Sequence, residues 1–342
     1  MLAVVKSKPE VGIEIMEVPK PRPKNDEVLV RVEACGICGT DLHFYEWVDH
    51  ARWITLPRIL GHELVGEIAE VGNQVKGLKV GQRVVTETWG GCGLCYYCRL
   101  GRFNSCQNQL RIGQHSDGGM ARYVAIPAVS IFPIPDSIST GDAAVLEPLG
   151  VALHALERCE LKPGDDVAIL GPGPIGLLAT QLVKQSGAAL IFIAGLEEDT
   201  HRLSFAEKWG GIPINTSRES LRDRVIQMTA GQGVDLALEM SGGKGALDAA
   251  VQITKPGGQI AIVGLGTPGM FDFNQMVHKE ITLYACWRRQ PSTWYRAINL
   301  VKEGRLQVGE VVTHKLPLIQ AEEGFKALLD RQAIKVLLLP ED

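Results

Sequence analysis

The chain has 342 residues, 45% of them hydrophobic and 22% charged, with a formal net charge of −4. That length and apolar content suit a sizeable core divided between two domains, and without a long single-sign run nothing favours nucleic acid or a membrane surface as partner. No run of about 18 apolar residues could span a bilayer, and residues 1–7 lack the apolar stretch of a signal peptide.

Eight cysteines are therefore expected in a reducing cytoplasm, where clustered thiols mark metal sites rather than disulfides. Residues 1 to about 85 read as short strands between turns, including 28–32 and 64–71. Pro19, Pro21 and Pro23 fall between strands, where a missing N–H does least harm. Within this region Cys38, His62 and Glu63 offer a thiolate, an imidazole and a carboxylate. Three such donors with a fourth position open suit a catalytic Zn²⁺. Asp41 could orient one of them from behind.

Cys92, Cys95, Cys98 and Cys106 follow on one short loop. Four thiolates close a tetrahedral shell around Zn²⁺ and leave no position for substrate, so this site is structural. An iron–sulfur cluster is the chemical rival. Another β-rich stretch, 121–126, leads to Glu147, a carboxylate at the hand-over between domains and a candidate for a cleft. Cys35, Cys159 and Cys286 read as buried thiols, and His50 has no partner at diagnostic spacing.

From Asp165 the pattern changes to strands alternating with helices. Six strands are expected at 167–170, 190–194, 212–214, 234–239, 259–263 and 281–285, giving a doubly wound parallel α/β sheet of the dinucleotide-binding (Rossmann) kind. Gly171-Pro172-Gly173-Pro174-Ile175-Gly176 joins the first strand to a helix. Its glycines would permit the tight turn, the approach of a pyrophosphate and close helix–strand packing, with the helix N-terminus facing the phosphates. The acid expected at the end of the second strand is missing at Gly195, but Glu197, Glu198 and Asp199 follow. Three carboxylates would repel a 2′-phosphate, which favours NAD over NADP, with His201 and Arg202 as the opposing cations. A helix is expected at 293–303, in a segment returning to the first domain.

Taken in order, Gly36-Ile37-Cys38-Gly39-Thr40-Asp41, Gly61-His62-Glu63, the four-cysteine loop, Glu147-Pro148-Leu149 and the glycine-rich turn resemble the zinc-containing medium-chain dehydrogenases. The resemblance runs along essentially the whole chain. It implies a GroES-like β-rich catalytic domain from residues 1–148 and 289–342, and a Rossmann domain from 149–288. It also implies catalytic zinc on Cys38, His62 and Glu63, with Glu147 as fourth ligand or partner to its water; which glutamate is the resting ligand stays open. Structural zinc would sit on Cys92, Cys95, Cys98 and Cys106. A proton would leave through Thr40, the nicotinamide ribose and His43. Backbone around Val263-Gly264-Leu265 and Cys286-Trp287 would meet the nicotinamide.

Within that family the chain is similar to the polyol (sorbitol-like) and L-threonine 3-dehydrogenase branches. Glu147-Pro148-Leu149-Gly150-Val151 and Arg289 follow the former, and Leu238-Glu239-Met240-Ser241-Gly242 the latter. Phe44, Trp89 and Arg289 would contact substrate. The expected activity is oxidation of a polyol-type secondary alcohol with NAD by a cytoplasmic homotetramer. L-threonine 3-dehydrogenase is the alternative, followed by a redox-neutral enzyme that uses NAD on the same fold.

Overall fold

The computed structural model describes residues 1–48, 51, 53–266 and 270–341, so His50 lies outside the described residues. The chain divides into two compact units, Met1–Glu147 with Gln290–Asp342, and Pro148–Arg289. Among the described residues no helix is long and apolar enough to cross a membrane.

The first unit is built on β-structure. Its main sheet runs Ile131–Pro133, Arg83–Thr86, Glu63–Val71, Glu27–Gly36, Lys335–Leu339, Val312–Pro317, with Tyr123–Pro127 also paired to Glu27–Gly36. The register sets Gly36 opposite Glu63 on one side and opposite Leu337 on the other. A strand from the C-terminus therefore borders Glu27–Gly36, whose other edge carries Glu63–Val71. Val28, Val30, Val32, Phe44, Leu64, Ile68, Phe325 and Val336 pack one core beneath this sheet. Each such side chain, fully buried, contributes about 1.5–3 kcal/mol.

The second unit holds six parallel strands in the order Ile212–Asn215, Ile191–Gly195, Val167–Leu170, Val234–Glu239, Thr254–Ile262, Thr282–Ala285. Val167–Leu170 and Ile191–Gly195 are buried along their whole length, the pattern of strands covered on both faces. All six expected strands are present. The fifth starts earlier than expected, at Thr254, because its pairing with Val234–Glu239 shifts register and tolerates Pro256 and Gly257 in an irregularity. The helix expected at 293–303 spans Pro291–Lys302, with Pro291 in its first turn, where a missing N–H costs nothing.

Candidate catalytic and dinucleotide sites

Cys38 is the N-cap of the helix Gly39–Glu46, and its N–H donates to Asp41 Oδ2 at 2.9 Å. That bond turns the chain from strand Glu27–Gly36 into the helix and fixes where the Cys38 side chain begins. Cys38 Sγ lies 3.8 Å from Thr40 Oγ1. His43 lies one turn further along the same helix. Glu63 opens the neighbouring strand, with His62 immediately before it. Gly36 faces Glu63 across the pair, and a Cβ at Gly36 would overlap Glu63 Oε2. Glu147 accepts from Thr88 Oγ1 at 3.0 Å.

Asp41, His62, Glu63, Glu147 and Lys335 are each buried. Lys335 Nζ donates to Glu63 Oε2 at 2.6 Å and to the Ile37 carbonyl at 3.0 Å. Burial alone would discharge this lysine, but Glu63 and Cys38 outweigh it and hold its pKa above the ordinary value. His62 behaves similarly. Burial opposes its charge, yet Cys38, through charge and a hydrogen bond, with Asp41 and Glu147, carries it up to about 10. Burial pushes the Asp41 carboxyl up, against His62 and the Cys38 N–H. His62 Nδ1 and Asp41 Oδ1 are buried 4.0 Å apart, and neither has a hydrogen-bond partner.

Beside Lys335 the site thus gathers a half-buried thiol with a buried imidazole and buried carboxylates. A thiol, an imidazole and carboxylates are a donor set that fits Zn²⁺. The resemblance leaves open whether Glu63 or Glu147 is the resting ligand; the structure places Glu63 Oε2 in an ion pair with Lys335. Lys335 escaped sequence reasoning. The one available signal was a lysine opening the otherwise apolar stretch Lys335-Val336-Leu337-Leu338-Leu339.

Among the described residues, three or more potential metal-binding side chains bring their donor atoms within 4.8 Å of one another at Cys92, Cys95, Cys98 and Cys106 alone. Cys95 and Cys106 have their sulfur atoms 3.8 Å apart, close to the edge of a tetrahedron with arms of roughly 2.3 Å. An iron–sulfur cluster would interpose its own atoms and needs a wider cage. The Leu94 and Cys95 N–H groups pull Cys92 down to about 6. Burial, with the Cys106 and Cys95 thiols, pushes Cys98 up to about 12. Four thiols this close cannot all ionise by themselves, so the donor set fits a bound cation. Trp89 and Phe103 pack against it.

In the second unit Gly171 has φ +108°, which a side chain would strain, and a Cβ there would sit 2.8 Å from Ser241 Cβ. Gly173 is the N-cap of the helix Pro174–Gln185, has open space where a Cβ would be, and precedes Pro174 and Ile175 in the first turn. A Cβ at Gly176 would overlap the Gly171 carbonyl oxygen. The helix N-terminus thus presents free N–H groups beside an uncluttered glycine, a cradle that fits a pyrophosphate.

Glu239 shapes the neighbouring strand end. Its Oε1 accepts from the Ser241 N–H, the Ser241 hydroxyl and the Gly242 N–H at 2.6–2.9 Å. Its carbonyl accepts from the Val263 and Gly264 N–H groups at 2.8 and 3.1 Å. Leu265 continues that turn half-exposed, Cys286 N–H donates to the Ile262 carbonyl at 2.8 Å, and the Arg288 guanidinium lies 4.9 Å from the Trp287 ring centroid.

Glu197, expected at the ribose, is held by Arg218 and Asn215. Arg202 pairs with Asp199 at 3.2 Å. The three side chains expected against substrate are all enclosed. Phe44 has no exposed surface and belongs to the hydrophobic core, which makes it a packing residue. Trp89 lies against the cysteine loop, and Arg289 stacks its methylenes where Gly150 leaves room.

Residues 24–136 match the family described as the alcohol dehydrogenase GroES-like domain, and residues 174–303 match the zinc-binding dehydrogenase family. The chain belongs to the zinc-containing medium-chain alcohol dehydrogenases and is an oxidoreductase with a GroES-like unit and a Rossmann unit. It is 35% identical over 342 residues to L-threonine 3-dehydrogenase of Pseudoalteromonas translucida (strain TAC 125), covering 99% of each chain. Among solved structures, alcohol dehydrogenase TADH from Thermus sp. ATN1 superposes with a TM-score of 0.92 at 33% identity over 100% of both chains. The 2R,3R-butanediol dehydrogenase of Bacillus subtilis does so with a TM-score of 0.90 at 32% identity over 99% of both.

Proposed function

We propose that the chain oxidises a secondary alcohol bearing a polar group on the next carbon, a polyol or vicinal diol, with a nicotinamide dinucleotide as hydride acceptor. The observation that carries this is that half-buried Cys38 meets the buried His62 imidazole, on which the buried Asp41 and Glu147 carboxylates also act, with buried Glu63 next in sequence. Cys38 and His62 would hold Zn²⁺ there, with Glu147 or Glu63 completing the set, and the ion would supply Lewis-acid polarisation of the alcohol oxygen. Asp41 acts on His62 through its charge, Lys335 restrains Glu63, and Thr88 aims Glu147. Thr40 Oγ1, beside Cys38 Sγ, is placed to take the alcohol proton and pass it along the helix face towards His43. The glycine-rich turn and the N-terminus of Pro174–Gln185 would hold the pyrophosphate. Cys92, Cys95, Cys98 and Cys106 would hold a second, structural zinc. Consecutive carboxylates favoured NAD in the sequence, but two of the three are held by arginines, so charge no longer decides against a 2′-phosphate.

A second reading, L-threonine 3-dehydrogenase, is favoured by the identity to the Pseudoalteromonas enzyme. L-threonine also presents a secondary alcohol beside a polar carbon. The deciding experiment follows reduced cofactor at 340 nm on metal-analysed protein with sorbitol, 2,3-butanediol, L-threonine and simple secondary alcohols. Fastest turnover of a polyol or diol with two zincs per chain supports the first reading. Preference for L-threonine replaces it with the second. Zinc and bound cofactor without net reduction of any acceptor would leave a redox-neutral enzyme.

A further inference from the structure

In doubly wound sheets the end of the second strand sets the group that meets the adenosine ribose, an acid for a free 2′-hydroxyl or a nearby arginine for a 2′-phosphate. Here that strand, Ile191–Gly195, ends on glycine. A Cβ at Gly195 would lie 2.8 Å from Pro172 Cγ and 3.1 Å from Asp199 Cβ, so this backbone has no room for an acid. The acids that follow are engaged. Asp199 Oδ2 accepts from the Leu196 N–H at 3.2 Å, and its Oδ1 is 3.2 Å from Arg202 Nη1. Glu197 is gripped by Arg218 through two side-by-side contacts, Nε to Oε2 at 2.6 Å and Nη2 to Oε1, while Asn215 Nδ2 donates to Oε2 at 2.8 Å.

Arg218 arrives from the turn after the next strand. Gly195 and Asn215 are register partners, and the Arg218 N–H donates to the Asn215 carbonyl at 2.9 Å. The guanidinium is therefore anchored beside the glycine end while its side chain stays 68% exposed. It carries five N–H donors and gives two to Glu197, which leaves three for a ligand.

We propose that Arg218 is the residue that receives a 2′-phosphate, and that this chain binds NADP(H) at least as tightly as NAD(H). The proposal rests on the dehydrogenase reading above. A phosphate dianion matches the planar fork of a guanidinium better than one carboxylate does. Glu197 is 47% exposed and can turn to water when displaced, so the exchange disturbs no buried contact. In the absence of a 2′-phosphate, Glu197 keeps the guanidinium extended at the strand end. The acid that looked like a barrier to NADP is thus a surface competitor for two of the guanidinium's donors, displaced when a 2′-phosphate arrives.

The test is calorimetric binding of NADPH, NADH, 2′,5′-ADP and 5′-AMP to the full chain and to Arg218→Ala, Arg218→Lys and Glu197→Gln. The wild-type chain should bind NADPH no more weakly than NADH, and 2′,5′-ADP more tightly than 5′-AMP. Arg218→Ala should weaken NADPH and 2′,5′-ADP roughly tenfold or more, as expected for loss of a charged hydrogen-bonded contact, and NADH less than about twofold. Arg218→Lys should restore part of that loss, and Glu197→Gln should tighten NADPH by releasing the guanidinium. Binding of NADH without NADPH, or equal weakening of both by Arg218→Ala, would overturn the proposal and leave the dehydrogenase reading standing. Binding of neither nucleotide by the wild-type chain would remove both.

Discussion

In the cysteine loop every donor is a thiol and all four sulfur atoms lie within 4.8 Å of one another, while around Cys38 the donors are a thiol, an imidazole and two carboxylates with a buried lysine among them. The first arrangement has one use for its side chains. Each thiol faces the others, and the loop has little else inside it besides Trp89 and Phe103. The second has alternatives at every group: Glu63 with Lys335, Glu147 with Thr88, and His62 Nδ1 near Asp41 without a hydrogen bond. A closed uniform shell satisfies a cation completely and suits a clamp. A mixed shell whose members are also tied to protein leaves room for a further oxygen, which chemistry on an alcohol requires.

The largest effect that separates the two is on turnover. Cys38→Ser should abolish alcohol oxidation while dinucleotide binding by titration stays within about twofold, because every residue of the proposed cradle lies in the other unit. Near-normal kcat in this variant would remove the Cys38 site from the mechanism. Cys98→Ser should do the reverse. Losing one of four ligands should cost on the order of 5 kcal/mol of local stability, a fall in Tm of roughly 10–20 °C for a unit of this size, with KM for alcohol little changed. A Tm that does not move, with or without chelator, would mean that the loop holds no structural ion.

How far these sites could be read in the sequence follows from the distance along the chain between partners. The cysteine loop and the glycine-rich turn are legible because their functional groups lie within a few residues of each other and one local pattern contains them. Cys38 and His62 are further apart, but the glycines beside them mark tight turns. Lys335 is 272 residues from the carboxylate it pairs with, and only the register of strands Glu27–Gly36, Glu63–Val71 and Lys335–Leu339 brings them together. Arg218 reaches Glu197 from the turn after the adjacent strand, so the run of acids looks uncompensated until the fold supplies the cation. Phe44 is the converse case. It stands next to His43 in sequence, but the helix turns it into the core.

Lys335→Met sharpens the comparison because it removes a partner that the cysteine loop lacks. It leaves Glu63 as a buried carboxylate without its cation, which should cost about 3–5 kcal/mol in denaturant unfolding. Adding Glu63→Gln should return much of that loss, since the neutral amide needs no counter-charge, and the double-mutant cycle should show a coupling of at least about 1 kcal/mol. Simple additivity of the two substitutions would mean that the 2.6 Å contact does not govern Glu63.

Gly36→Ala gives the smallest of these effects and tests the same carboxylate from the opposite side. The added methyl overlaps Glu63 Oε2 and lies 3.2 Å from Glu63 Cβ, so the side chain must move although Lys335 holds its far end. Overpacking of this kind costs about 1–3 kcal/mol, and no contact elsewhere is altered to offset it. The cost should shrink when Lys335→Met is present, because a Glu63 side chain released from the lysine can swing away from the methyl. An unchanged cost in that background would locate the strain in the backbone pairing of Gly36 with Glu63 rather than in the carboxylate. No cost at all would mean that Glu63 has a second resting position beside Lys335, and that position would make it available as a metal ligand in place of Glu147.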